Sequence, residues 1–218
     1  MSLPIFPLNT VLFPGSPLPL RVFEDRYLRM LRDRVANDPI FGISLIDSGR
    51  EAAGDQPAFH SVGTTARLVS LDVHDDGQVD IVVVGERRIM MTEGNWQRGY
   101  AVADTDDLPD HQFDRRQATV MMGHARAFYD TYLSSIARLL DASFQSPTFD
   151  LDAEIGSFEI AARLPLHTWE QQAILEDVDV LSRLQRICEV LRREITLLYR
   201  GGTAGVPLPN PGQGFTLN

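Results

Sequence analysis

The repeat of the apolar positions changes once along this chain, and that change limits the folds open to it. Through residues 1 to 112 apolar residues alternate with polar ones between Pro, Gly and Asp-Gly punctuation, the pattern of short half-buried strands. From Ala118 onward they recur every three and four residues, the pattern of helices with one apolar face. The expected fold class is therefore α+β. Residues 1–112 form a β-rich lobe with one early helix, residues 113–200 a helical bundle, and residues 201–218 a flexible tail rich in Gly and Pro.

The lobe opens with two short strands joined by a Pro14-Gly15 turn. Val11 and Phe13 lead in, and Leu18, Leu20 and Val22 lead out. Pro presets φ at the second turn position and Gly accepts positive φ at the third. Pro17 and Pro19 cannot donate ladder hydrogen bonds, so the second strand is expected at a sheet edge or in an irregular pairing. Tyr27, Leu28, Leu31 and Val35 mark a helix from Glu24 to Asn37, stopped by Asp38-Pro39. A strand over Ile40 to Ile46 precedes a polar loop, Asp47 to His60. Val62 to Val73 and Val79 to Val84 flank Asp75-Asp76-Gly77 and should pair as a hairpin. Strands at Ile89 to Thr92 and Tyr100 to Ala103 follow. The acidic run Asp104 to Asp114 reads as a solvated hinge.

In the second half a long helix spans Ala118 to Leu140, and a shorter one runs from Leu151 to Leu164 and ends at Pro165. Thr168 with Gln171 reads as a capping box opening a third helix, and Val180 to Leu198 carries a last apolar stripe. These stripes bury themselves inside the bundle or share part of one with a second copy in a homodimer.

Composition excludes several chemistries. All 20 basic residues are Arg, so the chain has neither the Lys of a phosphate-binding Walker loop nor that of a Ser-Lys dyad. The net charge of -10 opposes nucleic acid and anionic membranes. The single Cys188 lies in an apolar helical repeat and reads as a buried structural thiol. No basic leader and no apolar run of about 20 residues is seen, so a cytoplasmic protein is expected. The five His residues show no metal-ligand spacing, and the calcium-loop pattern at Asp72 to Gly77 fails because Val83 stands where a bidentate Glu is needed. No catalytic residue, metal or cofactor is expected.

Three segments carry a resemblance. The first is Leu3 to Arg29, with Phe13-Pro14-Gly15, Pro19-Leu20-Arg21 and Phe23-Glu24-x-Arg26-Tyr27. The second is Val62-Gly63-Thr64-x-Ala66-Arg67-Leu68 followed by Val84-Gly85-Glu86-Arg87-Arg88. The third joins Gln171 to Glu176, Leu181-x-Arg183-Leu184 and Leu191 to Ile195. In this order, over Leu3 to Leu198, they resemble the N-terminal domain of the Lon family of ATP-dependent proteases. The resemblance implies a PUA-like pseudo-barrel with the helical bundle packed on it. It also implies non-catalytic recognition of protein or unfolded polypeptide clients, as an adaptor in proteolysis without ATPase or peptidase domains. The PUA-like fold is shared with RNA-binding modules, so RNA recognition is the rival reading, opposed by the acid balance. The peptide-contact candidates are Phe13, Leu18, Leu20, Val22, Phe23, Tyr27 and Trp96, from the strand-edge argument and from the aromatics able to line a groove.

Overall fold

A computed structural model describes residues 2–35, 38–48, 56–92, 95–97 and 99–201. The fold is α+β, and the chain divides into two compact units, Met1–Pro109 and Asp110–Asn218. The expected tail lies outside the described residues, apart from Gly201.

The first unit holds β1 (Ser2–Leu8), β2 (Pro17–Val22), α1 (Asp25–Val35), β3 (Ile40–Ser48), β4 (Ala58–Phe59), β5 (Val62–Val73), β6 (Val79–Met91), β7 (Asn95–Gln97) and β8 (Tyr100–Asp107). The two opening strands are not a hairpin. β1 lies parallel to β3 and antiparallel to β8, while β2 pairs antiparallel with β6. The Pro14-Gly15 turn itself forms as expected, with Gly15 at φ 77° and the Ser16 N–H donating to the Phe13 carbonyl at 3.1 Å. It aims the chain at a different neighbour because residues 9–13 are not strand.

Pairing closes a ring in the order β6, β5, β3, β1, β8 and back to β6. One edge of β6 carries β5 along its length, and the other is divided between β2 at Val79–Val84 and β8 at Ile89–Met91. Gly85 sits at the division. There the loop before β2 crosses it, the Gly15 N–H donating to the Gly85 carbonyl at 2.8 Å and the Gly85 N–H to the Ser16 carbonyl at 3.0 Å. β6 is one strand of 13 residues, where the sequence suggested two; irregularities in β5 at Thr64/Ala66 and Leu68/Ser70 absorb the mismatch. β8 likewise runs on to Asp107, so Asp104, Asp106 and Asp107 belong to a strand rather than a hinge.

Two apolar clusters fill this unit. The larger joins Phe6, Tyr27, Met30, Phe41, Val79 and Ile81 among others, with Tyr27 stacked on Phe6 at 4.1 Å between centroids. The smaller is Leu3, Ile5, Ile89, Met91, Ala101 and Ala103. Burying a large apolar side chain contributes about 1.5–3 kcal/mol, so helix α1 is held chiefly by the Tyr27, Met30 and Leu31 face it presents to this core.

The second unit contains α2 (Arg115–Leu140), α3 (Ala153–Ala161), α4 (Thr168–Glu176) and α5 (Val180–Gly201). Carboxylates cap three of them: Asp114 accepts from the Arg116 and Gln117 N–H groups, Asp152 from Glu154, and Asp179 from Leu181 and Ser182. The box opening α4 sits one residue earlier than the sequence suggested. Glu170, not Gln171, reaches back to the His167 N–H at 3.0 Å. Burial alone would raise the Glu170 carboxyl, but hydrogen bonds from Arg193 and the His167 backbone outweigh it and hold the carboxyl below its ordinary range.

Arg183 is fully buried. It donates to both Asp110 oxygens at 2.8 and 2.9 Å, to Ser157 Oγ at 2.8 Å and to the Asp177 carbonyl at 2.8 Å, with its guanidinium 4.1 Å over the Phe158 ring. Asp110 and Asp114 are therefore fixed structural groups, and the solvated-hinge reading fails for them as well. The buried Cys188 thiol is pushed up by burial, as a structural thiol should be.

Two tyrosines in α2 carry a cost. Tyr129 and Tyr132 are buried, and among the described residues neither hydroxyl has a hydrogen-bond partner. Burial pushes the Tyr129 hydroxyl up to about 12. An unpaired buried hydroxyl costs about 1–3 kcal/mol, so Tyr129→Phe is expected to leave stability unchanged or raise it by about 1 kcal/mol. The urea midpoint at constant m-value measures this, and a loss above about 1 kcal/mol would show the hydroxyl to be satisfied.

Candidate functional site

The seven sequence candidates do not form one surface. Phe13, Val22 and Tyr27 are core residues, exposed by 2% or less. Tyr27 is committed to Phe6 and to the Arg26 guanidinium, 4.7 Å from its ring centre. Leu18 and Leu20 are half-buried and turn their side chains onto the larger core cluster. Phe23, between β2 and α1, is 58% exposed.

Strand β2 is at the edge of the sheet, as expected from its prolines. Its register sets Pro17 opposite Val84 and Pro19 opposite Val82. A proline cannot take part in a pair that exchanges both hydrogen bonds. The bonded pairs are therefore Leu18–Val83, Leu20–Ile81 and Val22–Val79, and the prolines face the open side. That side lacks two amide donors, a poor template for an added strand. The strand is further pinned by Arg21, which grips both Asp80 oxygens at 2.8 and 3.0 Å. Arg21 first, and then His74, hold the Asp80 carboxyl well below its usual range.

Trp96, on β7, lies away from β2 and packs on the smaller cluster. With Pro57, Ala58, Phe59, Ser61 and Met91 it lines a cavity of about 290 Å³. Arg26, ion-paired with Glu24 at 2.9 Å, reaches to 5.6 Å from the Trp96 ring centre, tying the Phe23–Tyr27 motif to β7. Among the described residues the cavity walls are apolar side chains, the Ser61 and Thr92 hydroxyls and the Gln56 carboxamide, with no titratable pair suited to acid–base chemistry. The Trp96 partners Phe59 and Met91 were not legible beforehand, because they come from strands far apart in sequence.

Sequence reasoning also missed an exposed apolar row, Val69, Leu71 and Val73 on β5, at 55%, 41% and 64%. It was hidden inside what read as an ordinary hairpin strand.

Comparison with known proteins identifies the architecture. Residues 2–193 match the family described as the ATP-dependent protease La (LON) substrate-binding domain. The chain is 28% identical over 204 residues to Lon protease 2 of Myxococcus xanthus, covering 90% of this chain and 24% of that protein. It is 25% identical over 202 residues to Lon protease of Escherichia coli K12, covering 91% and 25%. The chain thus spans about a quarter of the length of the curated relatives it matches. A Lon N-terminal domain protein from Xanthomonas campestris superposes with a TM-score of 0.60 at 28% identity, covering 87% of this chain and 98% of that one. The N-terminal domain of the Mycobacterium avium complex Lon protease gives 0.65 at 16% identity, covering 88% and 98%, a likeness of fold. With nearly all of its described length matched, this chain belongs to the family of the ATP-dependent protease La (LON) substrate-binding domain.

Proposed function

We propose that the chain binds extended or unfolded polypeptides without acting on them chemically, and that it does so in the cytoplasm as a recognition component of proteolysis. The observation that carries this reading is the match of residues 2–193 to a substrate-binding domain. The aromatic and aliphatic residues in the Trp96 cavity and the buried single cysteine agree with it. Of the sequence candidates, Phe23 is exposed and Trp96, Leu18 and Leu20 are half-buried, so these four keep accessible surface for contact.

The test is fluorescence anisotropy with labelled carboxymethylated lactalbumin, a permanently unfolded chain, set against its native form. Saturable binding of the unfolded form alone, with the polypeptide intact on a gel, is the expected result. Binding of a structured RNA with a steep negative salt slope, and none of the unfolded chain, would replace this reading with the rival one.

A further inference from the structure

The free margin of β5 is the unfinished side of a three-stranded arm, and its chemistry specifies what would finish it. Beyond Leu68, whose N–H donates to the Pro39 carbonyl at 2.9 Å, β5 has no strand neighbour on that side among the described residues. The direction of its free groups follows from the turn. The His74 N–H donates to the Gln78 carbonyl at 2.9 Å, so the even positions Asp72 and Ser70 bond to β6 and the odd positions Leu71 and Val73 face outward. The proline register of β2 gives the same answer independently, because it turns Val79, Ile81 and Val83 toward β2 and leaves Asp80 and Val82 for β5.

Side chains run across the arm in rows. Leu20–Ile81–Leu71 and Val22–Val79–Val73 are apolar rows on one face, buried at β6 and ending exposed at β5. Arg21–Asp80–Asp72 is the row on the other face. Arg21 is matched to Asp80, whereas among the described residues Asp72 and Asp75, both exposed, have no ion-pair partner. The edge carries no proline, unlike β2, and so lacks that protection.

From this we infer that the β5 edge at Val69–Val73 accepts an extended segment as an added strand, with apolar residues alternating with basic ones. The apolar residues extend the Leu71 and Val73 rows, and a basic residue stands beside Asp72 near the acidic turn. A second copy of this chain fits poorly. In the two-fold register that pairs Leu71 with Val73 of the second copy, the two Asp72 carboxylates stand directly across from each other, which is repulsive. The inference rests on the polypeptide-recognition reading and names its site and preferred sequence chemistry.

The test uses the full chain and two labelled peptides, one alternating Val and Arg, the other Val and Asp. Anisotropy should show binding of the Val/Arg peptide and much weaker binding of the Val/Asp one. Val73→Pro removes an outward amide without touching the β6 ladder and should weaken the Val/Arg peptide up to about tenfold. Asp72→Arg, at an exposed position, should invert the peptide preference while preserving the thermal melt. Equal binding by wild type and both variants would overturn the edge assignment, and if carboxymethylated lactalbumin still bound, the recognition reading would stand without it. Failure of both probes would overturn both. A dimer dissolved by Val73→Pro, with no peptide bound, would assign the edge to a second copy and overturn the proposal.

Discussion

Replacing Arg183 by alanine is expected to destabilise the second unit by about 3–5 kcal/mol, a large share of the 5–15 kcal/mol typical of a domain. The cost arises less from the pair than from what remains. Asp110 would keep a charge beside a cavity with its bidentate partner gone, while Ser157 Oγ and the Asp177 carbonyl would lose their donor. The stacking on Phe158 would also be lost. Changing both partners to apolar residues, Arg183→Met with Asp110→Leu, removes the acid together with its arginine and should recover much of the loss. Urea unfolding of the two variants measures the difference. If the single variant lost under about 1 kcal/mol, Arg183 would be a solvated surface pair rather than the centre of the bundle.

Replacing Gly85 by alanine is expected to cost about 3 kcal/mol. A β-carbon there would run into the Phe13 carbonyl, a backbone group that cannot swing aside, and would also press on Leu12 at 3.1 Å. Overpacking of this kind costs about 1–3 kcal/mol, and the shift would weaken the two bonds joining Gly85 to Gly15 and Ser16, each worth about 0.5–1.5 kcal/mol. The same movement would disturb the buried hydrogen bond from Thr64 Oγ1 to the Leu12 carbonyl at 2.6 Å. Thermal unfolding of Gly85→Ala reads the effect, and an unchanged melting temperature would mean that the crossing loop is not seated on β6.

What was legible in the sequence was local. The Pro14-Gly15 turn, the Asp-Gly hairpin, helix α1 and the long helices all follow from residues within a few positions of one another, and they stand where those residues put them. What was hidden depends on pairing across distance. Nothing near Leu18 states that its partner is Val83 rather than a residue of β1. Nothing in Val62 to Val73 states that β3 covers only its first half, leaving Leu71 and Val73 open. Phe13, Val22 and Tyr27 looked like contact residues because apolar side chains on an edge strand and beside it have two fates, and a closed ring chose burial. The Asp110 error was avoidable in part. Arg183 stands three residues after Val180 and four before Ile187, inside the apolar stripe, where an arginine requires a buried acid. Only its distance from Asp110 along the chain obscured the partner.

The central claim is that this chain recognises polypeptide through its β lobe. Hydrogen exchange of the full chain, with and without carboxymethylated lactalbumin, tests it most directly. The Leu71 and Val73 amides face the open edge, so they should exchange fast alone and slow markedly in the complex, together with neighbouring amides of the β5–β6 arm. Slowing confined to α2 through α5, or no slowing at saturating polypeptide, would contradict it.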